Sequence, residues 1–130
     1  MADTLFRGKR ISDGKWVFGS FVKIKKPESD SFDCFIVEMS AEYYRVIPET
    51  VGQYTGREDK QRNKIFEGDI VAYPGLNKKG FPADIWYNQR KGSYEIRKIG
   101  YNHIGLYNSE YCYVVIGNIY DQPELLNIGR

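Results

Sequence analysis

Histidine, cysteine and surplus charge are all scarce in this sequence, and each shortage removes a class of function. The only histidine is His103, set in the glycine-bounded stretch Gly100–Gly105. An imidazole needs a partner to act as a base or a metal ligand, and neither a second histidine nor a cysteine lies near it in the sequence. His103 is therefore read as a loop residue. Cys34 and Cys112 are far apart and lack a CxxC spacing, so they indicate neither a zinc site nor a disulfide framework. A net charge of +2 is too small to imply a nucleic-acid protein from composition alone. No run approaches the ~20 apolar residues of a membrane span. Asp3, Arg7, Lys9, Arg10, Asp13 and Lys15 break any signal-peptide core in the first twenty residues. The expected compartment is a reducing cytoplasm. The GxGxxG, GxxxxGK[ST], HExxH and GxSxG spacings are also missing. The reading is a non-enzyme with no catalytic residues, no cofactor, no metal and no inferred small-molecule substrate.

Aromatic residues are abundant: 11 Tyr, 7 Phe and 2 Trp make up 15% of the chain. With 13 Gly and 5 Pro spread between short apolar runs, this favours strands and turns. A hairpin is expected from Leu5–Ser12 and Lys15–Lys23, joined by a type I′ turn at Asp13-Gly14. In its second strand Trp16, Phe18, Ser20 and Val22 alternate with Val17, Gly19 and Phe21. Aromatics on both faces predict that both are at least partly covered. Further strands are expected over Phe32–Met39, Tyr43–Ile47, Ile65–Tyr73, Ala83–Tyr87, Ser93–Lys98 and Tyr111–Ile116. The polar, turn-rich stretch Gly52–Lys64 reads as a connector.

The fold class is mainly β: an N-terminal hairpin and strands over residues 1–55, packed on a small SH3-type β-barrel over residues 56–130, as one folding unit. Asp121, followed by Pro123 and Glu124, reads as the cap of a short C-terminal helix through Leu125 and Leu126. A helix that short needs to dock its leucines.

Two motifs invite a chemical reading. Glu67 and Asp69 flank Gly68, and paired carboxylates can serve as acid and base. The stronger reading is structural, with Gly68 at a bend and the carboxylates bonded to backbone N–H groups. Gly52 and Gly56 could cradle a phosphate, but no helix follows them, so they read as connector positions of unusual φ.

The stretch Glu49, Thr50, Val51, Gly52, Gln53, Thr55, Gly56, Asp59, Lys60, Ile65, Glu67, Gly68, Asp69, Ile70, Val71 resembles the signature of the YopX-like family of phage and prophage proteins. The tail Val115, Ile116, Gly117, Asn118, Ile119, Tyr120, Pro123, Glu124, Leu125, Leu126 extends the likeness, as do Phe6-Arg7-Gly8 and Trp16–Gly19. The regions Lys23–Arg45 and Pro74–Tyr111 depart from it, and Gln61-Arg62 replaces an Asn-Gly pair, which predicts a looser turn there. The resemblance implies a phage or prophage protein of unknown function in its bacterial host's cytoplasm. It implies no reaction.

What remains is binding. Arg57–Lys64 carries four basic and two acidic residues, and Arg90–Lys98 carries Arg90, Lys91, Arg97 and Lys98 against Glu95. Tyr87, Tyr94, Tyr101, Tyr107, Tyr111 and Tyr113 are more hydroxyls than a small core can satisfy, so some reach the surface. The candidate partner face is Arg90, Lys91, Tyr94, Arg97 and Lys98. It suits a protein partner or self-assembly into a homo-oligomer. The alternative is weak binding of single-stranded nucleic acid.

Overall fold

The computed structural model describes residues 4–74, 80–97, 104–105 and 113–127. The chain forms two compact units, Met1–Tyr54 and Thr55–Arg130. It is mainly β, with two antiparallel sheets.

In the first unit β1 (Phe6–Lys9), β2 (Trp16–Lys25), β3 (Phe32–Val37), β4 (Tyr43–Arg45) and the start of β5 (Gly52–Glu58) run in the order β4-β3-β2-β1-β5. The β1–β2 connection is longer than the two-residue turn expected. Gly14 N donates to Arg10 O (2.9 Å) and Arg10 N to Lys15 O (2.9 Å), while Asp13 Oδ1 accepts from Lys15 N (3.0 Å). Only Gly14 of the pair has a positive φ, so Ile11 and Ser12 join the loop. An isolated bridge between Arg10 and Val46 ties the end of β1 to the chain leaving β4. Val17, Cys34, Ile36 and Val46 form the buried core, with Phe6, Phe21, Tyr44 and Val51 packed around them.

The second unit begins within β5, whose far half neighbours β6 (Lys64–Phe66). The expected connector is thus a strand and a turn. The cause is Asp59: its carboxylate accepts from Gln61 N (2.8 Å), Asn63 N (2.8 Å) and Asn63 Nδ2 (3.2 Å), folding the chain back. Arg62 N closes the turn on Asp59 O (3.0 Å) with Arg62 at φ 66. The turn is tight without the Asn-Gly pair. Gly56 has φ 84, whereas Gly52 lacks a positive φ and pairs with Arg7.

The chain continues through β7 (Asp69–Pro74), β8 (Gly80–Asn88), β9 (Ser93–Arg97), β10 (Ile104–Gly105) and β11 (Val114–Asn118), ordered β10-β9-β8-β7-β11. Ile65, Val71, Ala83, Ile85, Ile96 and Tyr113 are its core. The SH3-type barrel expected here is not closed among the described residues. Closure needs the first and last strands to pair, and the outer edge of β11 is occupied instead by side chains and a turn. Val115 N donates to Asp59 Oδ2 (2.9 Å), Lys60 N to Tyr113 O (3.1 Å) and Asn118 N to Gln122 Oε1 (3.0 Å).

The single strand expected over Ile65–Tyr73 is broken at Glu67-Gly68. Gly68 sits at φ 91, and a Cβ there would lie 2.9 Å from Tyr120 Cε2. The C-terminal helix is a 3-10 helix, Pro123–Asn127. The turn that leads into it is held by Asn118, whose Oδ1 accepts from Tyr120 N (3.0 Å) and Asp121 N (2.9 Å). Leu125 and Leu126 are half-buried. A Cβ on Gly117 would come within 2.9 Å of Leu125 Cδ1.

Candidate interaction surface

The residues marked out in the second unit fall on three different places. Arg90 and Lys91 are exposed in the β8–β9 turn, where Asn88 accepts from both backbone N–H groups (3.0 Å from Arg90 N; 3.2 Å from Lys91 N to the main-chain oxygen). Tyr94 and Arg97 stand three apart on β9, and strand alternation puts them on opposite faces. Tyr94 pairs with Tyr87, edge to face at 5.0 Å between ring centroids. Burial, then the charge of Glu67 and the neighbouring Tyr87, pushes the Tyr94 hydroxyl up to about 12.

Arg97 lies opposite Asp84 and binds it with two nitrogens, Nη2–Oδ2 at 2.7 Å and Nε–Oδ1 at 3.3 Å, while its guanidinium rests over Trp86 at 5.0 Å. A fork geometry of this kind commits the charge to its carboxylate. On the same side Glu95 is buried, accepts from Asn88 Nδ2 (3.0 Å) and pairs with Lys91 Nζ (3.7 Å). The structure therefore does not gather this group into one basic, aromatic face. Lys98, His103 and Tyr101, Tyr107 and Tyr111 lie outside the described residues.

Asp69 is buried and accepts from Phe66 N (2.7 Å), and Gly68 N donates to Ile85 O (2.9 Å), so the Glu67-Gly68-Asp69 motif shapes the β6–β7 turn. Among the described residues no cluster of three or more His, Cys, Asp or Glu could hold a metal ion.

A different surface emerges in the first unit. Residues directly opposite on antiparallel strands share a face, so the registers Arg7↔Phe18, Lys9↔Trp16, Ser20↔Val37, Val22↔Phe35, Ile24↔Asp33, Phe35↔Arg45 and Val37↔Tyr43 define one side of the sheet. The core cluster occupies the other side. On the outer side Phe18 is 46% exposed, Val22 37%, Ile24 52% and Tyr43 69%. Both faces of β2 were expected to be at least partly covered, and the outer one is so only in part: Arg7 is buried and Trp16 half-buried, while Phe18, Val22 and Ile24 stay open.

Cations lie along this strip, and Arg7 among them is buried. Arg7 lies over the Trp16 ring at 4.7 Å and Lys9 at 5.8 Å. Arg45 binds Asp33 at 2.7 Å and approaches the Phe35 ring at 6.0 Å, and Lys26 reaches Asp33 at 3.6 Å. Sequence alternation places Phe18, Val22 and Ile24 on one side of β2, but it cannot say which side faces water. The polar Ser20 between them was the available signal.

The outcome is a β protein with two antiparallel sheets, one of which turns an apolar, cation-flanked face to solvent. The chain belongs to the YopX protein family, whose model matches residues 5–127. Its fold is similar to that in the crystal structure of protein EF1440 from Enterococcus faecalis, with a TM-score of 0.60 and 21% sequence identity over 97% of this chain and 99% of that one. At that identity the likeness is one of fold. No curated protein matches the sequence.

Proposed function

We propose that this chain is a phage- or prophage-derived, non-enzymatic binding module that works in the bacterial cytoplasm through the open face of its first sheet, on a protein partner or on another copy of itself. The observation that carries this reading is the strip Phe18, Val22, Ile24 and Tyr43, left open to solvent on a sheet whose opposite side already holds a complete core. Exposed apolar strips rimmed by polar groups mark interaction sites, and aromatic residues with arginine are enriched where proteins meet. Membership of the YopX family supports the phage origin. Cys34, buried as a free thiol, suits a reducing compartment. Among the described residues no helix is long and apolar enough to cross a membrane.

A second reading, weak binding of single-stranded nucleic acid, draws on the exposed Arg90-Lys91 turn beside the part-open Tyr87. It is the lesser one, because Arg97 and Lys91 are already engaged by Asp84 and Glu95.

The test is a double substitution, Phe18→Ser with Ile24→Ser. A working surface contributes little to the chain's own stability, so the variant should melt like the wild type while losing the binding of an apolar dye such as anilinonaphthalene sulfonate. A variant that melted well below the wild type would place these side chains in the core and end this reading.

A further inference from the structure

Hydrogen-bond parity along the first sheet leaves part of one edge of β2 unused. In an antiparallel pair, residues that bond across the ladder alternate with residues whose N–H and C=O point the other way. Lys26 N donates to Ser31 O (3.0 Å), and from there the register makes Ile24↔Asp33, Val22↔Phe35 and Ser20↔Val37 the bonded pairs of β2 with β3. The N–H and C=O of Phe21, Lys23 and Lys25 therefore point away from β3. On the β1 side Arg10 N donates to Lys15 O (2.9 Å), which makes Gly8↔Val17 and Phe6↔Gly19 the bonded pairs. β1 starts at Phe6, so this edge of β2 runs on past it. Among the described residues no strand pairs with the edge at Phe21, Lys23 or Lys25, and both lysines are exposed.

We propose that this edge takes up an extended polypeptide segment as an added antiparallel strand, one that alternates acidic and apolar residues. The open donors and acceptors recur at every second residue, which is the spacing of a strand backbone. The side chains then set the sequence. Lys23 and Lys25 project on one side of β2, where Lys23 Nζ lies over the Phe32 ring at 4.6 Å. Lys26 is paired with Asp33, but among the described residues neither Lys23 nor Lys25 has a carboxylate partner. Residues directly opposite on antiparallel strands share a side, so carboxylates belong across from these two lysines. On the other side Val22 and Ile24 are exposed, which suits apolar residues at the positions between.

The same lysines exclude a second copy at this edge. A two-fold pairing of β2 with β2 centred on this stretch sets Lys23 opposite Lys23 or Lys25, and like charges directly opposite destabilise a sheet. Lysine on an edge is one means by which sheets deter such pairing. A carboxylate-bearing strand is the one it admits. Nucleic acid has no row of N–H and C=O groups to match the ladder, so it does not fit the edge. The inference goes beyond the reading of the outer face, because the unmet backbone groups lie along the edge of β2 whatever covers that face.

The experiment uses the full chain and fluorescence anisotropy with a labelled short peptide of alternating glutamate and valine. The wild type should bind this peptide and not its lysine–valine counterpart. Lys23→Glu with Lys25→Glu should reverse that choice and weaken the glutamate–valine peptide at least ~10-fold, because two cross-strand pairs pass from attraction to repulsion. Lys15→Glu with Lys60→Glu makes the same change of charge on exposed residues elsewhere and should leave the affinity within about twofold. The backbone half of the claim is read on the peptide. A glutamate opposite Lys23 aims its N–H at β2 while a valine aims its N–H away, so N-methylation of the glutamates should abolish binding and N-methylation of the valines should not. In the wild type, hydrogen exchange at the Lys23 and Lys25 amides should slow when the peptide is added. Equal binding of the two peptides, binding that survives methylated glutamates, or no binding at ~1 mM would overturn the proposal. The dye measurement on the Phe18→Ser, Ile24→Ser variant judges the face alone, so either reading can fail without the other.

Discussion

The two units of this chain solve opposite problems with the same β geometry. The first keeps its apolar groups partly outside: Phe18, Val22, Ile24 and Tyr43 face water, Asp33 is paired with Arg45 near the edge, and Arg7 is buried. The second keeps charges inside: Asp59, Asp69, Asp84 and Glu95 are all buried. Each of these four accepts a hydrogen bond from within its own unit. Buried carboxylates persist only when their oxygens are bonded, so the second unit spends its polar groups on holding itself together. The first leaves a surface that its own fold does not need.

The largest expected effect tests the second half of that contrast. Asp59→Ala removes four hydrogen bonds that join the β5–β6 turn to itself and to the half-buried Val115. It should cost about 3 kcal/mol in chemical denaturation. A loss under about 1 kcal/mol would mean that water replaces the carboxylate and the network is ornamental.

A somewhat smaller loss, about 2 kcal/mol, is expected for Gly68→Ala, because an alanine at φ 91 is strained and its Cβ meets Tyr120. Thermal melting checks it.

Next come the pH limbs. Burial raises the Asp59 carboxyl, but the bonds from Val115, Asn63 and Gln61 outweigh it and hold the group below its ordinary value of 3.8. Its contribution is present above 3.8 and is lost as pH falls through the lower folded value. Tyr94 works in the other direction: raised from 10.0 to about 12, it contributes fully below pH 10 and loses that contribution as pH rises toward 12. Asp59→Asn should flatten the acid limb of a stability–pH curve and Tyr94→Phe the alkaline limb. Unchanged limbs would remove both assignments.

The smallest effect belongs to the first unit. Phe18→Ser and Ile24→Ser should each change unfolding free energy by no more than ~0.5 kcal/mol, the usual range for surface positions.

Much of the strand pattern was legible in the sequence. Phe32–Val37, Tyr43–Arg45 and Ser93–Arg97 declare themselves through β-branched and aromatic residues bounded by turn formers. The YopX signature was legible for the same reason that it is structural: Gly68, Asp69, Gly117 and Asn118 occupy turns and close contacts that other residues would spoil. The candidate site was not. A run such as Arg90–Lys98 reads as one basic, aromatic patch, yet a period of two sends Tyr94 and Arg97 to opposite faces. Aromatics on both sides of β2 hid which side was open. Asp59 sat within a charged run and gave no sign of burial, because three of its four bonds come from backbone N–H groups, one of them 56 residues away.

The central claim, that the first unit's open face is a contact surface and the second unit's interior is not, meets its most direct test in sedimentation equilibrium of the wild type and the Phe18→Ser, Ile24→Ser variant from about 5 to 500 µM, a range that brackets weak to moderate affinities. The account predicts a wild-type mass that climbs to twice the chain mass and a variant that stays at one chain mass with an unchanged melting temperature. Identical masses for the two proteins at every concentration would contradict it.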